Sequence, residues 1–328
     1  MYPDCFRSGS PVRAMLVLLS ASVFATCLHQ ATHTQDEARP NDAFRVVGYV
    51  PDYSYDRIHD DAFASVTDVI LFSAILTEEG AFPEEAIAAL PVAHFQEIKR
   101  QHGVRIHLCF GGWGRSGGFS EMTGNKENRT AFINALLQWS LDNDFDGVDY
   151  DWEFPADREE RAAYGALMVE TAEAFRPHGL YVSVALGHTQ TLDQTAYDAV
   201  DAIHLMAYDM GVRHATERDA LSSVRRLVRS GASKEKIVLG VPFYGRRMDD
   251  RDIAMAYHDI LERFGPAPDE DEAGGFYFNH IDTIRRKTRH AKEEQMPGIM
   301  IWELSMDTND DLSLLKAIDE ERGKNNAE

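Results

Sequence analysis

The sequence predicts an α/β fold closed into a (β/α)8 TIM barrel, a single catalytic domain without a full α+β insertion subdomain. Two observations carry this. Eight short β-branched or apolar runs alternate with longer helical stretches, the pattern of parallel strands joined by crossover helices. At 328 residues, eight such units favour a closed barrel over an open doubly wound sheet. No dinucleotide-binding glycine fingerprint or P-loop follows any of the runs.

In chain order, Arg7 and Arg13 precede an apolar run from Ala14 to Ala25 that is short for a membrane span and suited to a signal-peptide core. Residues 1–27 are therefore read as a signal peptide and 28–43, polar and without periodicity, as a flexible leader. The protein is expected to be secreted or periplasmic. Phe24-Ala25-Thr26-Cys27 loosely resembles a lipoprotein cleavage site, so a membrane is a partner only if Cys27 is lipidated.

The strands are expected at Arg45–Val50, Asp68–Ile75, Val104–Phe110, Gly147–Glu153, Tyr181–Leu186, Ala202–Ala207, Ile237–Val241 and Gly298–Trp302. Helices are expected at Glu84–His102, Arg129–Asn143, Arg158–Arg176, Asp219–Ser230 and His280–Glu294. Between the last two strands, Arg247 to Pro297 holds about fifty residues. They read as a helix (Ile253–Phe264), a Pro/Asp/Glu-rich loop (Pro266–Gly274), an aromatic patch (Phe276–Phe278) and the barrel's own helix. The barrel domain spans 44–320, with a polar tail at 321–328.

Hydrophobic content of 44% permits a large core, and 27% charged residues are those of a soluble globular protein. A formal charge of −21 argues against nucleic acid or an anionic membrane surface as partner. With only Cys5, Cys27 and Cys109, no disulfide framework can form. No cysteine/histidine spacing suggests zinc, and no cofactor is expected.

The richest stretch is Asp146-Gly147-Val148-Asp149-Tyr150-Asp151-Trp152-Glu153-Phe154-Pro155. On a strand, Asp149, Asp151 and Glu153 would share one face and the apolar residues the other. A half-exposed strand could also read this way, as could a calcium loop, but the run lacks the sixth-position glycine of an EF-hand. Neighbouring like charges repel, so one proton is shared and the outermost acid titrates high. Pro155 places Glu153 at the strand's C-terminal end, where barrels keep their chemistry.

Other strand ends carry Tyr49, Gly111-Gly112-Trp113, Met206-Ala207-Tyr208-Asp209, Phe243-Tyr244-Gly245-Arg246 and Trp302-Glu303. Any one aromatic could be core packing. Together they describe an aromatic-lined, acid-floored cleft, which suits sugar rings.

These residues resemble glycoside hydrolase family 18, the chitinase family. Asp146–Glu153 matches its DGxDxDxE motif, and Cys109–Trp113, Met206–Asp209, Gly240–Arg246 and Trp302 match further motifs in order. The resemblance implies a retaining hydrolysis in which the substrate's acetamido group replaces an enzyme nucleophile. It casts Glu153 as general acid, Asp151 as the group orienting the acetamide, Asp149 as the innermost catalytic carboxylate, and Tyr208 as a donor to the acetamide carbonyl. Trp302 becomes the floor of the distorted sugar's subsite, and Trp113 stacks a sugar on the leaving-group side. Gly112, Met206, Asp209, Tyr244 and Arg246 line the cleft, with Tyr49 beneath.

The implied function is hydrolysis of β-1,4-linked N-acetylglucosamine in chitin or its oligomers, by a monomer whose partner is a polysaccharide or oligosaccharide containing that sugar. The alternatives are endo-β-N-acetylglucosaminidase action on N-glycans or peptidoglycan, and an inactive chitin-binding lectin. Such lectins lack the acid that Glu153 supplies here. One departure stands out: Cys109 occupies the family's usual serine position. A thiol is a weaker donor, which predicts that Asp149 is less well held as an anion, unless Cys109 is only a small buried filler.

Overall fold

The computed structural model describes residues 44–324. The expectations for the signal peptide, the leader and Cys27 lie outside the described residues. Eight parallel strands close the barrel: β1 (Arg45–Pro51), β2 (Asp68–Ala74), β3 (Arg105–Gly111), β4 (Gly147–Asp151), β5 (Tyr181–Gly187), β6 (Ala202–Met206), β7 (Ile237–Pro242) and β12 (Gly298–Trp302). They follow the order β1-β12-β7-β6-β5-β4-β3-β2, so that β1 meets both β2 and β12. Both faces of these strands are covered, which is why they read in sequence as nearly continuous apolar runs.

Local chemistry explains where the expected elements move. The helix expected over Glu84–His102 breaks into Glu84–Ala88 and Val92–His102. Pro91 supplies no amide hydrogen and pushes Leu90 away from helical geometry. Gly103, at φ 69°, ends the second piece in the left-handed region that glycine enters without strain. The helix expected from Arg129 begins at Lys126, because the Asn125 side chain accepts from the Glu127 and Asn128 amides. Asp157 caps Arg158–Phe175 in the same way. The last helix, Leu314–Gly323, runs past the boundary placed at 320 and buries Glu321.

The stretch between β7 and β12 departs further. Ile253–Phe264 was expected to be wholly helical, yet Ala254–Ala256 is a strand and the helix is Tyr257–Phe264. Four short strands, β8 (Tyr244–Arg247), β9 (Ala254–Ala256), β10 (Glu272–Ala273) and β11 (Phe276–Tyr277), form an antiparallel sheet in the order β10-β11-β8-β9. A reduced α+β element is thus built on the barrel's rim, and the aromatic patch supplies one of its strands.

At the opposite end of the barrel Asp68 is fully buried. It accepts from Arg45 at 2.8 and 3.1 Å and from Arg105 at 3.0 Å, with the His107 ring 3.0 Å away. Arg45 also contacts the Tyr181 hydroxyl. This cluster ties the starts of β1, β2, β3 and β5 together.

Candidate active site

The acidic motif divides into residues with different duties. Asp146 precedes β4 and is structural: its carboxylate accepts from the Ile106 amide at 2.8 Å and pairs with Lys99 at 3.0 Å. Asp149 and Asp151 lie on β4 with exposures of 0% and 3%. The strand then stops at Asp151, two residues earlier than expected. Glu153 therefore sits just beyond the strand, half-buried, with its amide donating to Ser116 Oγ at 2.9 Å.

Asp149 is held as an anion by groups that strand register brings beside it. Ser183 pairs in register with Asp149 across β4 and β5, and its hydroxyl donates at 2.6 Å. Tyr49 on β1 donates at 2.7 Å, and His204 Nδ1 on β6 lies 3.1 Å from the carboxylate and 3.0 Å from the Tyr49 hydroxyl. Burial pushes the Asp149 pKa up, but His204, Ser183 and Tyr49 outweigh it and the net shift is downward. The expectation that Cys109 leaves Asp149 poorly held is thereby corrected. Cys109 is the in-register neighbour of Asp149 on β3, fully buried, its thiol raised by burial, then by the Asp149 and Asp151 charges and by a hydrogen bond to Asp149. The hydroxyl lacking at position 109 arrives from position 183.

Asp151 and Glu153 shift the other way. Burial, then the charges of Glu153 and Asp149, raises Asp151 well above the carboxylate range. Its Oδ1 is buried without a hydrogen-bond partner among the described residues, an arrangement native structures rarely leave unfilled. Burial, then Asp209, raises Glu153 to about 7, while a backbone hydrogen bond from Trp113 opposes the rise. One carboxyl of the motif is thus favoured as an anion, beneath two whose ionisation is opposed by burial and by neighbouring charge.

Around them lie the aromatic residues of the strand ends. Tyr208 is buried, 6.2 Å from the Tyr244 ring, and among the described residues its hydroxyl meets nothing stronger than Met300 Sδ at 3.9 Å. Trp302 is half-buried, edge-on to Phe72 at 4.6 Å and tilted on Tyr49 at 5.6 Å. Met206 packs beside the same interior cluster. Trp113 is 78% exposed and faces the exposed Phe154 ring at 6.5 Å.

Three expected cleft residues serve the protein itself. Asp209 accepts both nitrogens of the Arg246 fork at 2.7 and 2.8 Å, with His214 3.2 Å away, so this pair clamps the end of β6 to β8. Gly112, at φ 108°, is required by close approach: an added Cβ would lie 2.1 Å from the Phe72 ring. Its amide donates to the Asp151 carbonyl at 2.6 Å.

Sequence reasoning missed Ser183, His204, Ser116 and His214. The first two left a signal, as single polar residues inside apolar strands (Tyr181–Leu186 and Ala202–Met206). Ser116 and His214 lie in loops, where pattern carries no such information.

The family model "Glycosyl hydrolases family 18" matches residues 45–307. Probable chitinase 2 of Drosophila melanogaster is 31% identical over 229 residues, covering 61% of this chain and 47% of that protein. The chain matches about half the length of several chitinase relatives, 47% to 58% of each. A GH18 chitinase from the chitin utilization locus of Flavobacterium johnsoniae superimposes with a TM-score of 0.74 at 25% identity, covering 85% of this chain and 94% of that one. A Bacteroides thetaiotaomicron chitinase shares the fold with a TM-score of 0.76 at 23% identity, covering 86% and 97%.

Proposed function

The chain belongs to glycosyl hydrolase family 18, and from that premise we propose that it hydrolyses β-1,4-linked N-acetylglucosamine in chitin or chito-oligosaccharides, with the substrate's acetamido group as nucleophile. The observation that carries this reading is the buried, unpartnered Oδ1 of Asp151, beside a Glu153 whose pKa is raised to about 7. Asp151 Oδ1 accepts the acetamide N–H and turns the carbonyl oxygen toward the anomeric carbon. Glu153 gives its proton to the leaving oxygen, a general-acid step whose ideal pKa lies near the working pH. The Tyr208 hydroxyl, held only by the weak Met300 Sδ contact among the described residues, donates to the acetamide carbonyl, and Trp302 underlies the distorted ring. Water then opens the oxazolinium ion from the face the leaving group vacated, with Glu153 as base, which retains configuration.

The test is proton NMR of chito-oligosaccharide hydrolysis followed from the first turnover. The β-anomer should form first and convert to α by mutarotation. An α-anomer as first product means inversion and overturns the reading. We also propose export, supported by the apolar run Ala14–Ala25 behind Arg7 and Arg13. N-terminal sequencing of the mature protein should begin near residue 28; a mature chain retaining Met1 or starting at position 2 refutes it.

A further inference from the structure

Beside the carboxylates the barrel mouth holds a second depression, of about 490 Å3, that the proposed reaction leaves unused. Its lining includes His188 after β5, Asp209 after β6, Asp219 and Arg226 on the helix Glu217–Arg229, and Arg251 after β8. The volume falls among small-ligand sites, roughly 300–1,000 Å3.

Its place in the cleft follows from its neighbours. Asp209 forms part of the wall, and its charge also acts on Glu153, so the depression and the proposed acid share one charged neighbour. Gly187, just before His188, abuts the Phe154 ring, which faces Trp113. Trp302 ends β12, whereas β5 pairs with β4 and β6. The depression therefore lies on the Trp113 side, where the leaving-group sugar is expected.

The charge there runs against the rest of the protein. Arg226 is exposed, and among the described residues no carboxylate pairs with it. Arg251 donates to the Asp209 backbone carbonyl at 2.7 Å and also lacks a carboxylate partner among the described residues. Burial, then Arg226 and more weakly Arg251, lowers the His188 pKa against the pull of Asp209, so both guanidinium charges reach the same ring. On the acidic side Asp209 is already matched by Arg246, and Asp219 accepts from Thr216 Oγ1 at 2.7 Å. In a chain with 54 acidic and 33 basic residues, a lining in which two arginines without carboxylate partners among the described residues offset Asp209 and Asp219 departs from the overall acidity.

We propose that this depression is an anion-accepting subsite, so that the preferred substrate is an N-acetylglucosamine-containing glycan whose leaving-group sugar bears a carboxylate read by Arg226 and Arg251. The guanidinium fork matches a carboxylate in two parallel hydrogen bonds, which a neutral hydroxyl cannot reproduce. The inference rests on the family 18 reading above and names its substrate class. A carboxylate in this position has two chemical sources: the lactyl ether of a muramic-acid-type sugar, or C6 of a uronic acid.

The experiment compares kcat/KM of the full-length protein on three glycans of equal length: a chito-oligosaccharide, alternating N-acetylglucosamine and N-acetylmuramic acid, and alternating N-acetylglucosamine and glucuronic acid. One carboxylated glycan should exceed the chito-oligosaccharide by about tenfold or more, with N-acetylglucosamine at the new reducing end. Which one does so identifies the source. The double variant Arg226→Gln/Arg251→Gln should reduce that preference by roughly tenfold, and added salt should reduce it further. Cleavage of the chito-oligosaccharide without any preference, or an equal loss on all three glycans in the double variant, overturns the subsite and leaves the family reading standing. Cleavage of none by folded protein overturns both.

Discussion

At the scale of single residues, the site separates by protonation. Glu153 is raised to about 7, by burial first and by Asp209 second, so it carries its proton below that pH and loses it above. As general acid it should give kcat/KM a basic limb near pH 7. Glu153→Gln should lower turnover by roughly 10²-fold or more while oligosaccharide binding survives. Asp209→Asn removes a neighbouring negative charge, which eases ionisation of Glu153, so the limb should move to lower pH. An unchanged limb in pH–rate profiles of that variant would assign it to another group. Asp149 gives the complementary case, since Ser183 rather than Cys109 supplies the close hydroxyl. Ser183→Ala should move the acid limb to higher pH, and Cys109→Ser should leave it in place. The opposite pair of results would return the role to position 109.

At the scale of elements, each strand end contributes one functional surface and the next element fixes its direction. Trp302 closes β12, rests edge-on against Phe72 and tilted on Tyr49, and stays half-buried. Trp302→Ala should therefore lower kcat/KM by about 10²-fold, corresponding to roughly 2–3 kcal/mol of lost transition-state packing. A large fall in melting temperature with unchanged constants in the folded fraction would make Trp302 a core residue instead. The pattern of the motif made Asp149 and Asp151 legible, because a period of two is a property of any strand. That Glu153 leaves the strand was not legible, because the run gives no sign of ending before Pro155.

At the scale of the molecule, the barrel's two ends do different work. The mouth holds carboxylates that burial makes reluctant to ionise, and the base holds Asp68, whose charge is fully used. Burial raises the Asp68 pKa, but Arg45, His107 and Arg105 more than reverse this and leave it well below the carboxylate range. The folded protein thus binds this proton less readily than the unfolded chain does. The resulting stability is present above the ordinary aspartate pKa and is lost as pH falls through the folded value. Asp68→Asn should cost about 3–5 kcal/mol by stranding buried arginine charge, with a fall in melting temperature on the order of ten degrees at neutral pH. The loss should shrink in strongly acid solution. The pH–rate profile of the surviving enzyme should match wild type, and a shifted profile would tie the base to the chemistry.

The sequence by itself determined the alternation that closes the barrel, the strand that carries Asp149 and Asp151, and the aromatic residues of the rim, because all three follow from periodicity within short segments. Tertiary structure alone decided who holds Asp149 and what Asp209 faces. Ser183 lies 34 residues from Asp149 and Tyr49 lies 100. Such partners meet only when the strand order and register of the closed barrel are set, and neither is encoded in any local pattern. The same closure put Arg226 and Arg251, from separate connections, in the lining of one depression.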